Sequence, residues 1–276
     1  MTSPVTRIDK DTFGPWAIVT GASSGIGKEF ARQLAASGLH LVLAARRLSA
    51  LEELGGGLAK EFGIQYRAVG VDLTTEDFLE TIEAATYDLD IGLLISNAGA
   101  GIPGAFLTIE RSALHSIVRL NVMAHLTLTH HFGQKLAQRR RGGVLLVSAL
   151  GAAQGLPYMA NDGGTKAYVL SLGEALHVEF QKVGVNVTVL LPSAVDTPVL
   201  AKLGLAADAM PIKPMSVEQC VAEGLAALNA NRATHITGRM FRIMDALLPR
   251  SVMTRMNGTM LAKAVAGKRA PAANPR

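Results

Sequence analysis

Residues Thr20-Gly21-Ala22-Ser23-Ser24-Gly25-Ile26-Gly27 lie between a short apolar run and a helix-like segment. Glycines at this spacing permit a tight turn and close backbone approach. The helix beyond offers unpaired N–H groups and the positive end of its dipole, chemistry suited to a pyrophosphate. A strand before the turn, and a helix packing Phe30, Leu34 and Ala35 after it, make a common glycine pattern specific. Histidines supply a second candidate chemistry, since His115, His125, His130 and His131 fall within 108–138. No acid or thiol stands at ligand spacing from them, so no metal site is expected. A mixture of core and surface histidines is the reading adopted.

The elements that must position these groups are legible as an alternation. Residues 16–20, 40–45, 65–73, 91–99, 143–150 and 185–193 are apolar runs of strand length, and helices are predicted near 25–37, 48–62, 75–85, 108–138 and 161–183. Runs apolar on both faces are what a parallel sheet covered by helices on each side requires. The β-α-β-α series therefore predicts an α/β fold with a doubly wound parallel sheet in three layers. At 276 residues, one domain spanning 1–276 is expected. There is no solenoid-type repeat, and low complexity is confined to an Ala/Pro/Lys/Arg-rich end, read as flexible over about 265–276.

The TGxxxGxG spacing, followed by Asn97-Ala98-Gly99, resembles the short-chain dehydrogenase/reductase family. So do Asp72-Leu73, Asn121, Lys166, and Pro192 with Thr197, in the same order along roughly residues 14–200. The resemblance implies a Rossmann-like fold binding a nicotinamide dinucleotide. The cofactor contacts it implies are Gly21, Ser23, Ser24, Gly25, Ile26, Gly27, Asp72 and Leu73 beside the adenine, Asn97, Ala98, Gly99, Lys166, Pro192, Val195 and Thr197. It also implies a homodimer or homotetramer, with the helix of Asn121 and that of Lys166 against a second subunit. Charge argues for which dinucleotide. An acid at the end of the second strand would hold both ribose hydroxyls and repel a 2′-phosphate, but Ala45 stands there and Arg46-Arg47 follows. Guanidinium groups suit bidentate contact with phosphate, so NADP(H) is the expected cofactor, with Arg46 the favoured clamp.

The departures bear directly on chemistry. In the family a Tyr four residues before the Lys protonates the carbonyl oxygen, and a Ser thirteen residues before that Tyr holds the same oxygen. Counting from Lys166 places Asp162 and Ala149 there, and Pro157 and Thr165-Lys166-Ala167 secure the register. Ser193 for Gly and Ser96 for Asn are smaller deviations. An ionised Asp162 would accept hydrogen bonds only and would repel an oxyanion. At i,i+4 from Lys166 on one helix face, it is expected to form a salt bridge that lowers its pKa.

Three readings follow. The chain is an atypical NADP(H)-dependent oxidoreductase, acting on a carbonyl or on an imine/iminium that a carboxylate stabilises. It is a non-redox cyclase, isomerase or elimination enzyme with Asp162 as acid or base. Or it is a silent NADP(H)-binding sensor. The first is preferred, with Asp162 and Lys166 facing the reacting centre, Asn121 supporting the lysine through water, and Tyr158 the best spare proton donor. Ser148 should face away from Ala149 by strand alternation, and Tyr168 is expected to be packed.

The remaining features bound the setting. A lid is predicted over about 198–215, its Leu, Ala and Met content suiting an apolar small-molecule substrate. Residues 231–276 carry nine Lys/Arg and one acid, Asp245, a balance of +8 that leaves −3 for the first 230 residues. With aromatics at only 5%, no nucleic-acid partner is expected. The basic, amphipathic segment 237–264 suits a membrane surface or a partner subunit, although a helix covering the sheet edge is preferred. The lone Cys220, the lack of an 18-residue apolar span and the absence of a signal-like start point to a cytoplasmic protein.

Overall fold

The computed structural model describes residues 6–197 and 213–269. Its middle layer is a parallel sheet of seven strands: β1 (Trp16–Thr20), β2 (His40–Ala45), β3 (Tyr66–Gly70), β4 (Ile91–Ser96), β5 (Gly143–Val147), β6 (Asn186–Leu191) and β7 (Thr234–Ile236). Their order is β3-β2-β1-β4-β5-β6-β7, with every neighbouring pair parallel. The chain winds outward from β1 to β3, returns to β4 and continues the other way. Strand order thus reverses between β1 and β4, and a crevice opens at their carboxyl ends.

Alternation along each strand feeds two separate cores. Ala17, Val19, Leu41 and Leu43 pack with Phe30, Leu34, Leu51 and Leu225 on one face. Ile18, Val42, Ala44 and Leu94 pack with Ile82, Leu128, Phe132 and Val169 on the other. The first layer is built by α2 (Gly25–Ala36), α3 (Leu48–Phe62) and α8 (Val217–Asn229). The second is built by α4 (Phe78–Ala84), α6 (Ala124–Arg139) and α7 (Ala160–Gln181). A short α1 (Lys10–Phe13) precedes β1. The predicted three-layer, doubly wound architecture is the one observed.

Differences from the sequence reading have local causes. The apolar runs at 65–73, 91–99, 143–150 and 185–193 extend past the last paired residues, because Val71, Leu73 and Ser148 stay buried in loops after their strands end. The predicted single helix 108–138 is α5 (Arg111–Val118), a π-helical turn over Arg119–Met123, and α6. The wider turn changes the facing of the side chains around Asn121. β7, only three residues long, has no pattern from which to be read.

The C-terminal segment 237–264 divides at Pro249 into α9 (Arg239–Leu247) and α10 (Arg250–Arg269). Of this segment, expected to cover the sheet edge with a solvated basic face, α10 buries Met253 and Leu261, whereas α9 has no fully buried residue. Most of the lid predicted over 198–215 lies outside the described residues, as does the end of the chain from 270.

Candidate active site

Loops from the carboxyl ends of β1, β2, β3 and β4 meet at the crevice. Thr20, fully buried, closes β1 with a hydroxyl that accepts the N–H groups of Asn97 (2.9 Å) and Ala98 (3.0 Å) and donates to the Ile95 carbonyl (3.4 Å). Asn97 returns a bond from Nδ2 to the Thr20 carbonyl at 2.8 Å. The glycine turn and the Asn97-Ala98-Gly99 loop are therefore one stitched unit. Gly21 has φ 67°, open to glycine at little cost, and a Cβ on Gly27 would lie 2.3 Å from the Gly21 carbonyl oxygen. Ser24 caps α2 in extended conformation with no side-chain hydrogen bond, so the first-turn N–H groups keep their capacity for an anion.

Of the other residues expected at the cofactor, Arg47 and Thr197 touch this turn. Arg47 donates to the Ser23 carbonyl at 3.2 Å, tying the end of β2 to the glycine loop. Arg46 is exposed, and its charge contributes to holding Asp72 below the ordinary carboxylate range. The larger cause is the Thr74 N–H, which Asp72 Oδ1 accepts at 3.0 Å. Leu73 is buried beside it. Pro192 accepts the Leu150 N–H at 3.0 Å, Val195 is buried and bridged to Met215, and Thr197 lies against Gly25. Ser193 uses its N–H and hydroxyl on Thr237 Oγ1, at 3.0 and 3.2 Å, which explains how a side chain fits where glycine is usual. A pyrophosphate at the α2 turn, with a ribose phosphate near Arg46 and Arg47, fits this arrangement.

Beside the turn, Asn121, Asp162 and Lys166 come together. Asn121 is wholly buried. Its Oδ1 accepts the Ala100 N–H (3.0 Å), and its Nδ2 faces the Ala100 carbonyl (2.8 Å), Thr165 Oγ1 (3.0 Å) and Asp162 Oδ1 (3.2 Å). Lys166, also buried, donates from Nζ to the Val147 carbonyl at 3.3 Å. Cβ atoms built on the neighbouring glycines measure the closeness of the backbone. One on Gly99 would lie 2.8 Å from Lys166 Nζ, and one on Gly101 would lie 3.2 Å from Asp162 Oδ1.

The expected salt bridge is not formed: no Asp162–Lys166 ion pair occurs among the described residues. The expected pKa is reversed as well. Burial raises the Asp162 pKa, outweighing the opposing pull of Lys166 and of the Asn121 hydrogen bond, and burial lowers that of Lys166 against the charge of Asp162. The i,i+4 spacing allows contact, but Asn121 and the Val147 carbonyl take the two charged ends.

The other donors are elsewhere. Ser148 is buried and donates to the Lys166 carbonyl at 2.8 Å, facing away from the site. Tyr158 sits at φ 62°, with its side chain exposed and its carbonyl accepting the Gly104 N–H at 2.8 Å. Tyr168 is exposed rather than packed.

His125, on α6, supports the site. It is buried between Ser96 Oγ (2.9 Å to Nδ1) and the Ala98 carbonyl (3.1 Å to Nε2). Burial and the nearby Lys166 charge push its pKa down to about 3, so the ring is neutral. Only the fold joins it to Ser96. A mainly apolar cavity of about 380 Å³ is lined by Ile102, Pro103, Ile109, Ala113 and Val265, with Thr108 and Glu110 as its polar members; Ile102 follows Gly101, which lies against Asp162. Among the described residues no three His, Cys, Asp or Glu side chains converge as a metal would require.

The family model described as short chain dehydrogenase matches residues 15–207. The chain belongs to that family. Among curated relatives it is 36% identical over 189 residues to the very-long-chain 3-oxoacyl-CoA reductase of Neurospora crassa, covering 67% of this chain and 57% of that one. It is 29% identical over 233 residues to the 7beta-hydroxysteroid dehydrogenase of Clostridium sardiniense, covering 84% and 89%. The matches to the reductases span a little over half the length of those relatives. A solved 7beta-hydroxysteroid dehydrogenase superimposes with a TM-score of 0.82 at 26% identity, over 91% of this chain and 99% of that one. A Sphingobium yanoikuyae family member solved with NADPH gives 0.75 at 28% identity, over 95% and 98%.

Proposed function

We propose that this family member is an NADP(H)-dependent oxidoreductase for apolar carbonyl compounds, in which Asp162 and Ala149 occupy the places of the family's Tyr and Ser. The observation that carries the reading is the half-buried Asp162 carboxyl, bonded to Asn121 one helical turn from the buried Lys166. A nicotinamide dinucleotide held by the α2 turn with Arg46 and Arg47 would supply or accept the hydride. In reduction, Asp162 would give its proton to the carbonyl oxygen of the substrate. The carboxylate left behind is steadied by the Asn121 N–H and by the Lys166 charge, then reprotonated from solvent. A raised pKa makes a carboxyl a competent acid closer to neutrality.

Support for the substrate class comes from the apolar cavity and from the relatives, named for acyl-CoA and hydroxysteroid substrates. Support for NADP(H) comes from Ala45, which places no acid at the end of β2, from Arg46 and Arg47 beside the glycine turn, and from the NADPH-bound neighbour. A second copy of the chain is the proposed protein partner, because Val118, Met123, Tyr168 and Val178 leave apolar surface exposed on α5, the π turn and α7.

The Asn121 hydrogen bond also favours an ionised Asp162, which supports an iminium substrate as the second reading. Steady-state NADPH oxidation with panels of apolar ketones and imines tests both. Ketone reduction by an acidic Asp162 falls as pH rises through its raised pKa, whereas iminium reduction rises. Asp162→Asn lowers kcat/KM about 10²–10⁴-fold with ketones. No NADPH oxidation with any panel member would overturn the oxidoreductase assignment.

A further inference from the structure

We infer that α9 and α10 form a surface that docks this protein on an anionic lipid bilayer. Pattern and packing disagree on α9. On α9, Met240, Ile243, Met244 and Leu247 occupy one face, with Asp245 on the opposite one. Such a face normally marks the side turned to the core. Here most of it is turned outward: α9 has no fully buried residue, Met240 is 57% exposed, Ile243 43% and Leu247 75%, and only Met244 of the four is half-buried. Past Pro249, α10 buries Met253 and Leu261 and leaves Val252 and Met256 exposed.

Charge decides what covers this surface. Arg239, Arg250, Arg255 and Lys263 are exposed and form no ion pair with a described residue, while Arg242 is paired with Glu223 at 2.9 Å. Asp245 is the sole acid from 231 to the end, so the segment as a whole carries +8. Apolar side chains bordered by unpaired cations match the acyl boundary and headgroups of an anionic leaflet. A second copy fits poorly, because a contact between two such faces would bring two net-positive segments together. The apolar surface of α5 and α7 is a separate patch. A helix of nine residues rises only about 14 Å, so α9 lies in the interface. No helix among the described residues is long and apolar enough to cross a membrane. Val265 of α10 also lines the mainly apolar cavity, together with the acid Glu110.

The test is co-sedimentation of the full chain with phosphatidylcholine vesicles, with and without phosphatidylserine, at low and high salt. Binding is expected only with phosphatidylserine and weakens with salt. Met240→Glu with Leu247→Glu abolishes it, and Arg250→Glu with Arg255→Glu weakens it roughly fivefold or more for each charge. These positions are exposed, and an unchanged melting curve shows that the fold is kept. No vesicle binding, or equal binding to neutral and anionic vesicles, overturns the proposal. So does a dimer in sedimentation velocity that Leu247→Glu dissociates, since a second copy then occupies the face.

Discussion

Replacing Thr20 by Val removes one hydroxyl and almost no volume, and the consequence can be worked from its bonds. The hydroxyl is saturated, donating to the Ile95 carbonyl and accepting the Asn97 and Ala98 N–H groups at 2.9 and 3.0 Å. Its surroundings are closed to water, with Thr20 at 0% exposure. The variant strands two amide donors, at about 1–3 kcal/mol each, for a total of about 2–6 kcal/mol. That is a large share of the roughly 5–15 kcal/mol by which a domain is stable. Thr20→Ser keeps all three bonds and loses one methyl group, about 1 kcal/mol. Chemical denaturation of the three proteins therefore orders them wild type, Ser, Val, with a wide final gap. NADPH affinity should drop in Thr20→Val, because the loop of Asn97 to Gly99 loses its anchor to the glycine turn. If Thr20→Val lies within about 0.5 kcal/mol of Thr20→Ser, the hydroxyl is not the tie between the two loops, and the stitched-unit account is wrong.

Other perturbations separate the remaining assignments. Arg46→Glu exchanges a phosphate-binding charge for a repelling one and should weaken NADPH binding at least about tenfold while sparing NADH; equal losses in titration would refute the 2′-phosphate role. Gly27→Ala sets a Cβ 2.3 Å from a backbone oxygen and should abolish cofactor binding and cost about 1–3 kcal/mol. Gly57→Ala, with nothing within 4 Å in mid-helix, should stabilise by about 0.5–1 kcal/mol in the same denaturation series. Asp162→Asn couples lost activity to gained stability. The folded pKa of Asp162 is raised above its unfolded value, so its contribution is intact in acid and lost as pH rises through the folded pKa. The variant lacks that loss, so its stability relative to wild type climbs with pH, and a pH-independent difference would contradict the burial argument.

Much of the architecture was legible in the sequence because its causes are local. Apolar runs of strand length marked six of the seven strands within a few residues, and α3 was bounded at 48–62, where Gly63 ends it at φ 68°. The glycine turn, Arg46-Arg47 and the carboxylate at 162 were equally visible, since each is a matter of residue type and near spacing. β7 was not, because three residues carry no period.

Tertiary structure decided the electrostatics and the partners. Asn121 and Asp162 are 41 residues apart and Thr20 and Asn97 are 77 apart, and neither pairing leaves a trace in local spacing. The i,i+4 rule for Asp162 and Lys166 predicted a lowered pKa because it assumes a solvated helix face. Burial at the ends of β4 and β5 made desolvation the larger effect and reversed the sign. The apolar stripe of α9 likewise revealed amphipathicity without its direction. Sequence determined which side chains share a helix face or a turn, and only the fold determined how much water each keeps, which sets both acidity at Asp162 and exposure at Leu247.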